Sequence, residues 1–242
     1  VLVARSDMNA DVPLLPRGSY ALHEAMGSIY ACVALISVSI TVEVFIPYFL
    51  QVVHGYEPLA AGYLTALMSI GWTAGSIFSS GRKPAMAKVF LRAGPATIAV
   101  SLVALALLMP MLHLTQTYWF WVMLVPLLGV GLGIGISWPH LLSQVFRSAP
   151  AGQETIASGS VITVQLFALA MGSTIAGMIV NAAGITDPGG IPGAQSAAYA
   201  LLFVFAIAPG AAFFIIGRVI RAKTETDAKS AQTRATAQEV SS

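Results

Sequence analysis

Residues 27–53, GSIYACVALISVSITVEVFIPYFLQVV, decide the fold of this 242-residue chain. The stretch is long and apolar enough to cross about 30 Å of hydrocarbon as a helix. It nevertheless contains a carboxylate, Glu43, well inside the crossing, where a charged group costs roughly 3 kcal/mol. This side chain therefore needs a functional or a structural reason for its position.

The composition assigns the whole chain to a membrane. Hydrophobic residues make up 57% of it and charged residues only 9%, whereas soluble domains average about a quarter charged residues. Six segments are long and apolar enough to cross a bilayer, and we call them spans 1 to 6. They lie near residues 27–53, 59–80, 93–113, 118–145, 156–183 and 197–220. We expect a multi-pass protein of the cell membrane that contacts the lipid bilayer.

The basic residues predict the orientation of these spans. All 12 Lys and Arg lie before span 1, between spans 2 and 3, between spans 4 and 5, or from the middle of span 6 onwards. The other three connections contain none, so the positive-inside rule places both termini in the cytoplasm. We expect a cytoplasmic segment over residues 1–26, a six-helix bundle over 27–220 and a disordered tail over 221–242. The opening VLVARSDMN is typical of the inside of a loop, so we expect residues 1–26 to be a truncated linker.

Polar and small residues recur at steps of four in several spans, which places them on one face of a helix. Span 1 carries Ser39, Glu43, Pro47 and Gln51 in such a stripe, and span 5 has one amide, Gln165. Small residues at this spacing allow two membrane helices to approach closely. The positions predicted for close packing are Gly71 and Gly75 in span 2, Gly131 and Gly135 in span 4, and Gly172 in span 5.

Spans 1–3 and 4–6 form a repeat. Each triplet opens with a long span that a proline interrupts late: Pro47 follows Gly27 by 20 residues, and Pro139 follows Trp119 by 20. Three spans separate the copies, so the second copy crosses the membrane in the opposite sense. The sequence predicts an all-α membrane protein of two inverted three-helix repeats, a pattern typical of secondary transporters.

Three stretches resemble one transporter family. They are FIPYFLQVVHGYEPLAAGY at 45–63, LLGVGLGIGISWPHLLSQVF at 127–146 and PAGQETIASGS at 150–160. They resemble the C-terminal six-helix bundle of major facilitator superfamily transporters, and within it the fourteen-helix drug:proton antiporters. The resemblance covers about residues 12–222. One departure is the loop SSGRKPAMAKVFLRAGP at 79–95, which lacks the acidic residue of the family's loop signature.

The resemblance implies half of a major facilitator fold. An N-terminal six-helix bundle of the same transporter would pair with it around a central cavity, and this chain does not contain that bundle. Spans 1 and 4 would line the cavity, which selects Glu43, Gln51, Trp138 and His140. The implied activity is multidrug efflux by proton antiport, with protons and a small lipophilic molecule as substrates.

Two interpretations of Glu43 stay open at this point. It is either a protonatable or cation-binding group in the cavity or a structural carboxyl that is hydrogen-bonded to Ser39 or to a neighbouring helix. Trp138 either stacks on a substrate or packs beside the kink at Pro139.

The remaining polar candidates are equally open. His140 is either a proton-relay residue or a packed histidine. Gln51 and Gln165 either bind substrate or join helices. We expect His54 and His113 to be solvated on outer loops.

Several other classes of function lack their motifs. No His, Cys or acidic residues form a cluster with metal-ligand spacing, hydrolase motifs are missing, and no cofactor site is visible. The basic residues follow the membrane face, which argues against nucleic acid as a partner. We therefore predict a protein that is not an enzyme. The alternative to a half-transporter is a truncated, non-transporting membrane remnant or assembly partner.

Overall fold

The computed structural model describes residues 15–16, 19–111, 116–149 and 152–240. All regular elements within these residues are helices, so the prediction of an all-helical fold is confirmed for this part of the chain. In chain order they are α1 (Ala25–Ile40), a 3-10 helix (Thr41–Val44), α2 (Ile46–His54), α3 (Pro58–Ser79), α4 (Pro84–Leu108), α5 (Gln116–Ser148), α6 (Glu154–Ala182) and α7 (Gly190–Val240).

Span 1 consists of α1 and α2, joined by the short 3-10 helix. Pro47, the second residue of α2, accounts for the break. Proline has no N–H group to donate to the carbonyl four residues earlier, which is that of Glu43, and its ring clashes with that carbonyl. The sequence predicts an interruption at Pro47, and the structure places it just before the proline, over Thr41–Val44.

Five helical stretches among the described residues are long and apolar enough to cross a membrane. They are Ala25–His54, Ala85–Leu108, Tyr118–Ser148, Glu154–Ala182 and Gly190–Ile220. The predicted span 2 corresponds to α3, which has 22 residues and is long enough to cross. Its Gly, Ser and Thr residues lower its hydropathy, so it does not count among the five.

Two helices extend well beyond the predicted spans. Helix α4 begins at Pro84 rather than near residue 93, because proline favours the first turn of a helix. Lys88 and Arg92 lower the hydropathy of its first turns, so the apolar pattern does not indicate them. Helix α7 begins at Gly190 and its backbone continues to Val240, where the sequence predicts a disordered tail. The alanines of this tail favour helix although they offer little apolar surface to bury. The division into three segments stays a prediction.

Helix α5 lies at the centre of one part of the bundle. It packs along α3 and α4, and α4 in turn packs along α7. Helix α1 packs against α6 and α7. Most of the buried core lies between these helices, with Leu102 and Leu105 on α4, Leu127 and Ile134 on α5, and Leu201 on α7 among its residues.

A second, smaller core lies at the N-terminal end of α1, and we call it the Tyr30 cluster. It joins α1 to the C-terminal part of α5 and the N-terminal part of α6. Its buried residues are Met26, Ile29, Tyr30, Val33, Val145, Ala157 and Val161. This cluster marks one end of the bundle, the end that also carries Arg147 at the end of α5.

Candidate functional site

The break in span 1 turns Glu43 away from the core. Ser39, one step of four before it, is fully buried, whereas Glu43 is half-buried and the next residue, Val44, is 69% exposed. Each 3-10 residue turns the chain by about 120° and each α-helical residue by about 100°, so four 3-10 residues add about 80° of rotation. The stripe predicted from Ser39 to Gln51 is therefore twisted at its centre, and its carboxylate lies at the surface of the bundle.

The hydroxyl of Ser39 does not bond to Glu43. It lies 2.8 Å from the carbonyl oxygen of Leu35 and 2.9 Å from that of Ile36, both in its own helix. The Glu43 carboxylate makes no hydrogen bond or ion pair with any residue that the structure describes. One of the two structural interpretations, a carboxyl held by Ser39, therefore does not match the geometry.

Helix α6 packs against this break. A β-carbon on Gly172 would lie 2.9 Å from the hydroxyl oxygen of Thr41 and 3.3 Å from the α-carbon of Val38. Gly172 belongs to a buried row with Ala168 and Ala176. The small side chains at this spacing allow α6 to approach the 3-10 helix closely.

The two glutamines of the predicted site have different surroundings. The side-chain amide of Gln51 donates a hydrogen bond to the carbonyl oxygen of Pro47, 3.0 Å away in the same helix. Both Gln51 and Gln165 are half-buried. Gln165 precedes Gly172 on α6 by two helical turns, so it lies about 10 Å along the helix from the contact with Thr41.

Trp138 and His140 lie in the end of the bundle that contains the Tyr30 cluster. Trp138 packs against that cluster and meets Trp72 of α3 edge-on, with 6.4 Å between ring centroids. The ring of His140 stacks on Phe90 of α4 at 5.6 Å and hydrogen-bonds to the backbone of Ser79. Its Nε2 atom is buried and has no hydrogen-bond partner among the described residues.

The five polar candidates do not form one site in this structure. Trp138 packs at the level of residues 26–33 of α1, and Glu43 lies at least ten residues further along span 1. At 1.5 Å per residue this separation is about 15 Å along the helix. Glu43 and Gln51 both lie on span 1, eight residues and about 12 Å apart along it. Trp138 and His140 lie in another region, near the end of α3 and the start of α4.

The four glycines of α5 serve two helix contacts. A β-carbon on Gly131 or Gly135 would collide with backbone atoms of α3. The intervening Gly133 faces α4 instead, where a β-carbon would lie 2.7 Å from the carbonyl oxygen of Gly94. Alternating glycines point to nearly opposite sides of a helix. The GVGLGIG stretch thus allows α3 and α4 to pack closely on both sides of α5.

Gly71 and Gly75 supply the other half of the contact with α5. A β-carbon on Gly75 would lie 2.7 Å from the carbonyl oxygen of Leu132 and 3.1 Å from the α-carbon of Gly135. A β-carbon on Gly71 would collide with the backbone of Leu128. Residues at steps of four on both helices therefore meet along one seam.

Two contacts between distant parts of the chain are not visible in the sequence pattern. The hydroxyl of Tyr30 donates a hydrogen bond to the carbonyl oxygen of Ala157, 2.9 Å away, and so ties α1 to α6. His54 is buried, against the expectation of a solvated loop residue, and that expectation is wrong. Its Nε2 lies 2.9 Å from the carbonyl oxygen of Met109, and its ring lies 4.9 Å from that of Trp119.

Span 1 ends at His54, one residue later than expected, and the contacts with Met109 and Trp119 bury the histidine ring. Gly55 follows it with a positive φ of 68°, which terminates α2. The histidine therefore belongs to the last turn of the helix. His113 lies outside the described residues.

No group of three His, Cys, Asp or Glu side chains in the described part of the chain is close enough to hold a metal ion. The available chemistry consists of one unpaired carboxylate at a broken helix, two half-buried amides and aromatic rings. Such groups can bind a proton or a small molecule, and they lack the set of donors that a metal site needs.

Comparison with known proteins shows sequence similarity to transporters. The chain matches no protein-family profile. Two curated proteins of Mycobacterium tuberculosis, from two strains and both named as probable multidrug-efflux transporters, are 30% identical to it over 156 residues. The match covers 64% of this chain and 33% of each relative. The chain therefore spans about a third of the length of these relatives. Its apolar helices are those of a multi-pass membrane protein.

Proposed function

We propose that this chain forms the C-terminal bundle of a proton-coupled secondary transporter of the major facilitator type, which exports drugs from the cell. The observation that carries the proposal is Glu43, an unpaired and half-exposed carboxylate at the break between α1 and α2. Interrupted helices mark the binding regions of secondary transporters. A carboxylate inside a membrane span is a functional residue by default.

The packing of the helices supports two inverted repeats of three spans. If spans 1, 2 and 3 correspond to spans 4, 5 and 6, the most extensive helix contacts should come in matching pairs. The smaller contact between α6 and α7 has no comparable counterpart between α3 and α4. The contact of α1 with α6 (spans 1 and 5) corresponds to that of α5 with α3 (spans 4 and 2). The contact of α1 with α7 (spans 1 and 6) corresponds to that of α5 with α4 (spans 4 and 3). The contact between α4 and α7 joins spans 3 and 6, which correspond to each other, so the repeat maps this contact onto itself. This correspondence also supports counting α3 as a sixth span, with both termini on the basic, cytoplasmic side.

Glu43 is the residue that we assign to proton coupling. It lies about one turn beyond the middle of the 30-residue span. A carboxylate at this depth can take a proton from one side of the membrane and release it to the other, provided that the bundle moves between two states. Gln51 is half-buried like Glu43 and lies about two turns further along span 1, and we assign it to the same cavity.

Helix α6 supports the proposal of a second bundle. Only 17% of the most apolar part of α6 is buried inside the bundle, the smallest share among the five candidate spans. Its exposed face includes polar residues as well as apolar ones, among them Thr163, Ser173 and Thr174. Polar and small residues suit contact with another helix better than contact with lipid. We propose that an N-terminal six-helix bundle covers this face and closes the cavity in front of Glu43.

Substrate class is proposed from the relatives and from the chemistry of the chain. The two Mycobacterium tuberculosis proteins are named as multidrug-efflux transporters. The residues that flank Glu43 in the chain, Val42, Val44 and Phe45, are apolar. Such surroundings suit lipophilic cations, which a carboxylate attracts until it is protonated. Binding of the proton and of the cation to Glu43 would then exclude each other, as antiport requires.

The test is a dye-efflux and proton-uptake assay in cells that express the chain together with its partner bundle. We expect Glu43→Gln to abolish proton-dependent ethidium efflux while the amount of protein in the membrane stays the same. Glu57→Gln is the matched control, because Glu57 is exposed and lies outside the spans. Unchanged efflux by Glu43→Gln would exclude the proposed coupling. Efflux by the chain without any partner bundle would contradict the half-transporter.

A further inference from the structure

A cleft on the outside of the bundle lies between α4 and α7. Its volume is about 400 Å³. The residues that line it are Lys88, Val89, Arg92, Ala93, Phe213 and Ile220. Two of these six residues are cations and none is acidic, in a chain of which only 9% is charged. The cleft therefore combines positive charge with an apolar wall.

The two cations are one helical turn apart on α4 and so lie on the same face. The guanidinium carbon of Arg92 lies 4.8 Å from the ring centre of Phe213 on α7, within the range of a cation–π contact. Gly217, one turn further along α7, leaves room for this side chain: a β-carbon there would lie 3.6 Å from an amino nitrogen of Arg92. Arg92 is thus held at the contact between the two helices.

Arg92 retains hydrogen-bonding capacity in this position. Its Nε atom is buried and has no hydrogen-bond partner among the described residues. A buried donor without a partner costs about 1–3 kcal/mol, so an acceptor that enters the cleft would be stabilised by bonding to it. Arginine binds phosphate groups especially well, because its N–H groups match the geometry of the phosphate oxygens.

A smaller cavity adjoins the cleft. It has a volume of about 50 Å³ and shares Lys88 and Ile220 with the cleft as lining residues. Ser28 of α1 and Gln144 of α5 also line it. Polar groups from two further helices therefore lie behind Lys88, at the end of the bundle that carries the basic loops.

The surroundings of the cleft are suited to lipid. Val89 is 54% exposed, and Phe214, beside the lining residue Phe213, is 70% exposed. Lys88 lies just past the first turn of α4, close to the basic loop that precedes the helix. If the spans cross the membrane as proposed above, the cleft lies where lipid headgroups meet hydrocarbon on the basic side.

We propose that this cleft binds the phosphate group of an anionic phospholipid in the leaflet on the basic side of the membrane. Lys88 and Arg92 bind the phosphate oxygens, and the acyl chains lie along the exposed apolar faces of α4 and α7. Basic pockets between membrane helices on the cytoplasmic side recognise lipid headgroups in this way. The site rests on the membrane orientation in the proposed function and does not depend on what the protein transports.

Native mass spectrometry of the purified chain tests the site. The protein is exchanged from nanodiscs of phosphatidylglycerol or of phosphatidylcholine, and the retained lipid is counted. We expect one tightly retained phosphatidylglycerol and no retained phosphatidylcholine. Lys88→Gln and Arg92→Gln should each weaken retention by roughly fivefold. Arg147→Gln, an exposed basic residue at the same end that does not line the cleft, should leave retention unchanged.

Several outcomes decide against the site. Equal retention in Lys88→Gln and in the unchanged protein would overturn it, and the exposed position of Lys88 allows the substitution without altering the buried core. Equal retention of both lipids would also overturn it. Displacement of the lipid by millimolar glycerol phosphate would identify a free phosphate site instead of a lipid site. Failure of the unchanged protein to retain phosphatidylglycerol, with its efflux intact, would contradict this inference alone. Unchanged efflux in Glu43→Gln would contradict the proposed coupling and leave the lipid site unaffected.

Discussion

The backbone of Met68 on α3 occupies the place where Gly131 on α5 would carry a β-carbon. Any side chain at position 131 must therefore push two helix backbones apart. Glycine is required here for the closeness of the contact, because Gly131 lies in the interior of a regular helix. The contact explains why a residue with poor helix propensity is placed in the middle of α5.

We expect Gly131→Ala to destabilise the bundle by about 1–3 kcal/mol, since the clash is with backbone atoms that cannot rotate away. Thermal unfolding of the purified chain in detergent measures the change. Gly62→Ala is the matched control on α3, because a β-carbon on Gly62 would meet nothing within 4 Å. Equal melting temperatures for the two variants would show that α3 and α5 do not pack as described.

Tyr30→Phe should remove the hydrogen bond from the hydroxyl group of Tyr30 to the carbonyl oxygen of Ala157 and keep the packing of the ring. We expect a loss of about 0.5–1.5 kcal/mol in the free energy of unfolding. Urea or detergent unfolding that is followed by circular dichroism provides the measurement. Tyr63→Phe serves as the control, because Tyr63 is 68% exposed on α3. If both variants unfold alike, the bond does not stabilise the contact between α1 and α6.

The all-helical type of the fold could be predicted because apolar length is a local property of the sequence. The close approach at Gly71 and Gly131 could also be anticipated, since small residues at steps of four leave a visible pattern. Neither property requires knowledge of which helix lies next to which. The N-terminal starts of α4 and α7 were harder to predict. Their first turns are polar or contain glycine and proline, so these turns lack the apolar pattern of a membrane span.

The direction of Glu43 could not be predicted from spacing. A step of four implies one face only if the helix is regular, and the 3-10 helix at Thr41–Val44 adds rotation between Ser39 and Glu43. The burial of His54 depends on a partner 55 residues away, the carbonyl of Met109. Such a contact is set by tertiary packing and leaves no local pattern.

His54→Ala should destabilise the end of the bundle at which α2 ends. The carbonyl oxygen of Met109 would lose its partner, and Trp119 would lose the ring that packs beside it. We expect a loss of about 1–3 kcal/mol from the unsatisfied carbonyl. Thermal unfolding should show a lower midpoint for His54→Ala. The midpoint should not change in His23→Ala, since the His23 side chain is 83% exposed. An unchanged midpoint for His54→Ala would argue against a buried histidine.

The rotation at the break can be tested by the reactivity of single cysteines. Glu43→Cys and Ser39→Cys are made in a Cys32→Ser background, and each is treated with a water-soluble maleimide in membranes. Thiol reactivity follows exposure, so we expect Glu43→Cys to react at least about tenfold faster than Ser39→Cys. A regular helix would place both residues on nearly the same face and give similar rates. Comparable rates at positions 39 and 43 would remove the reason for assigning Glu43 to a cavity surface.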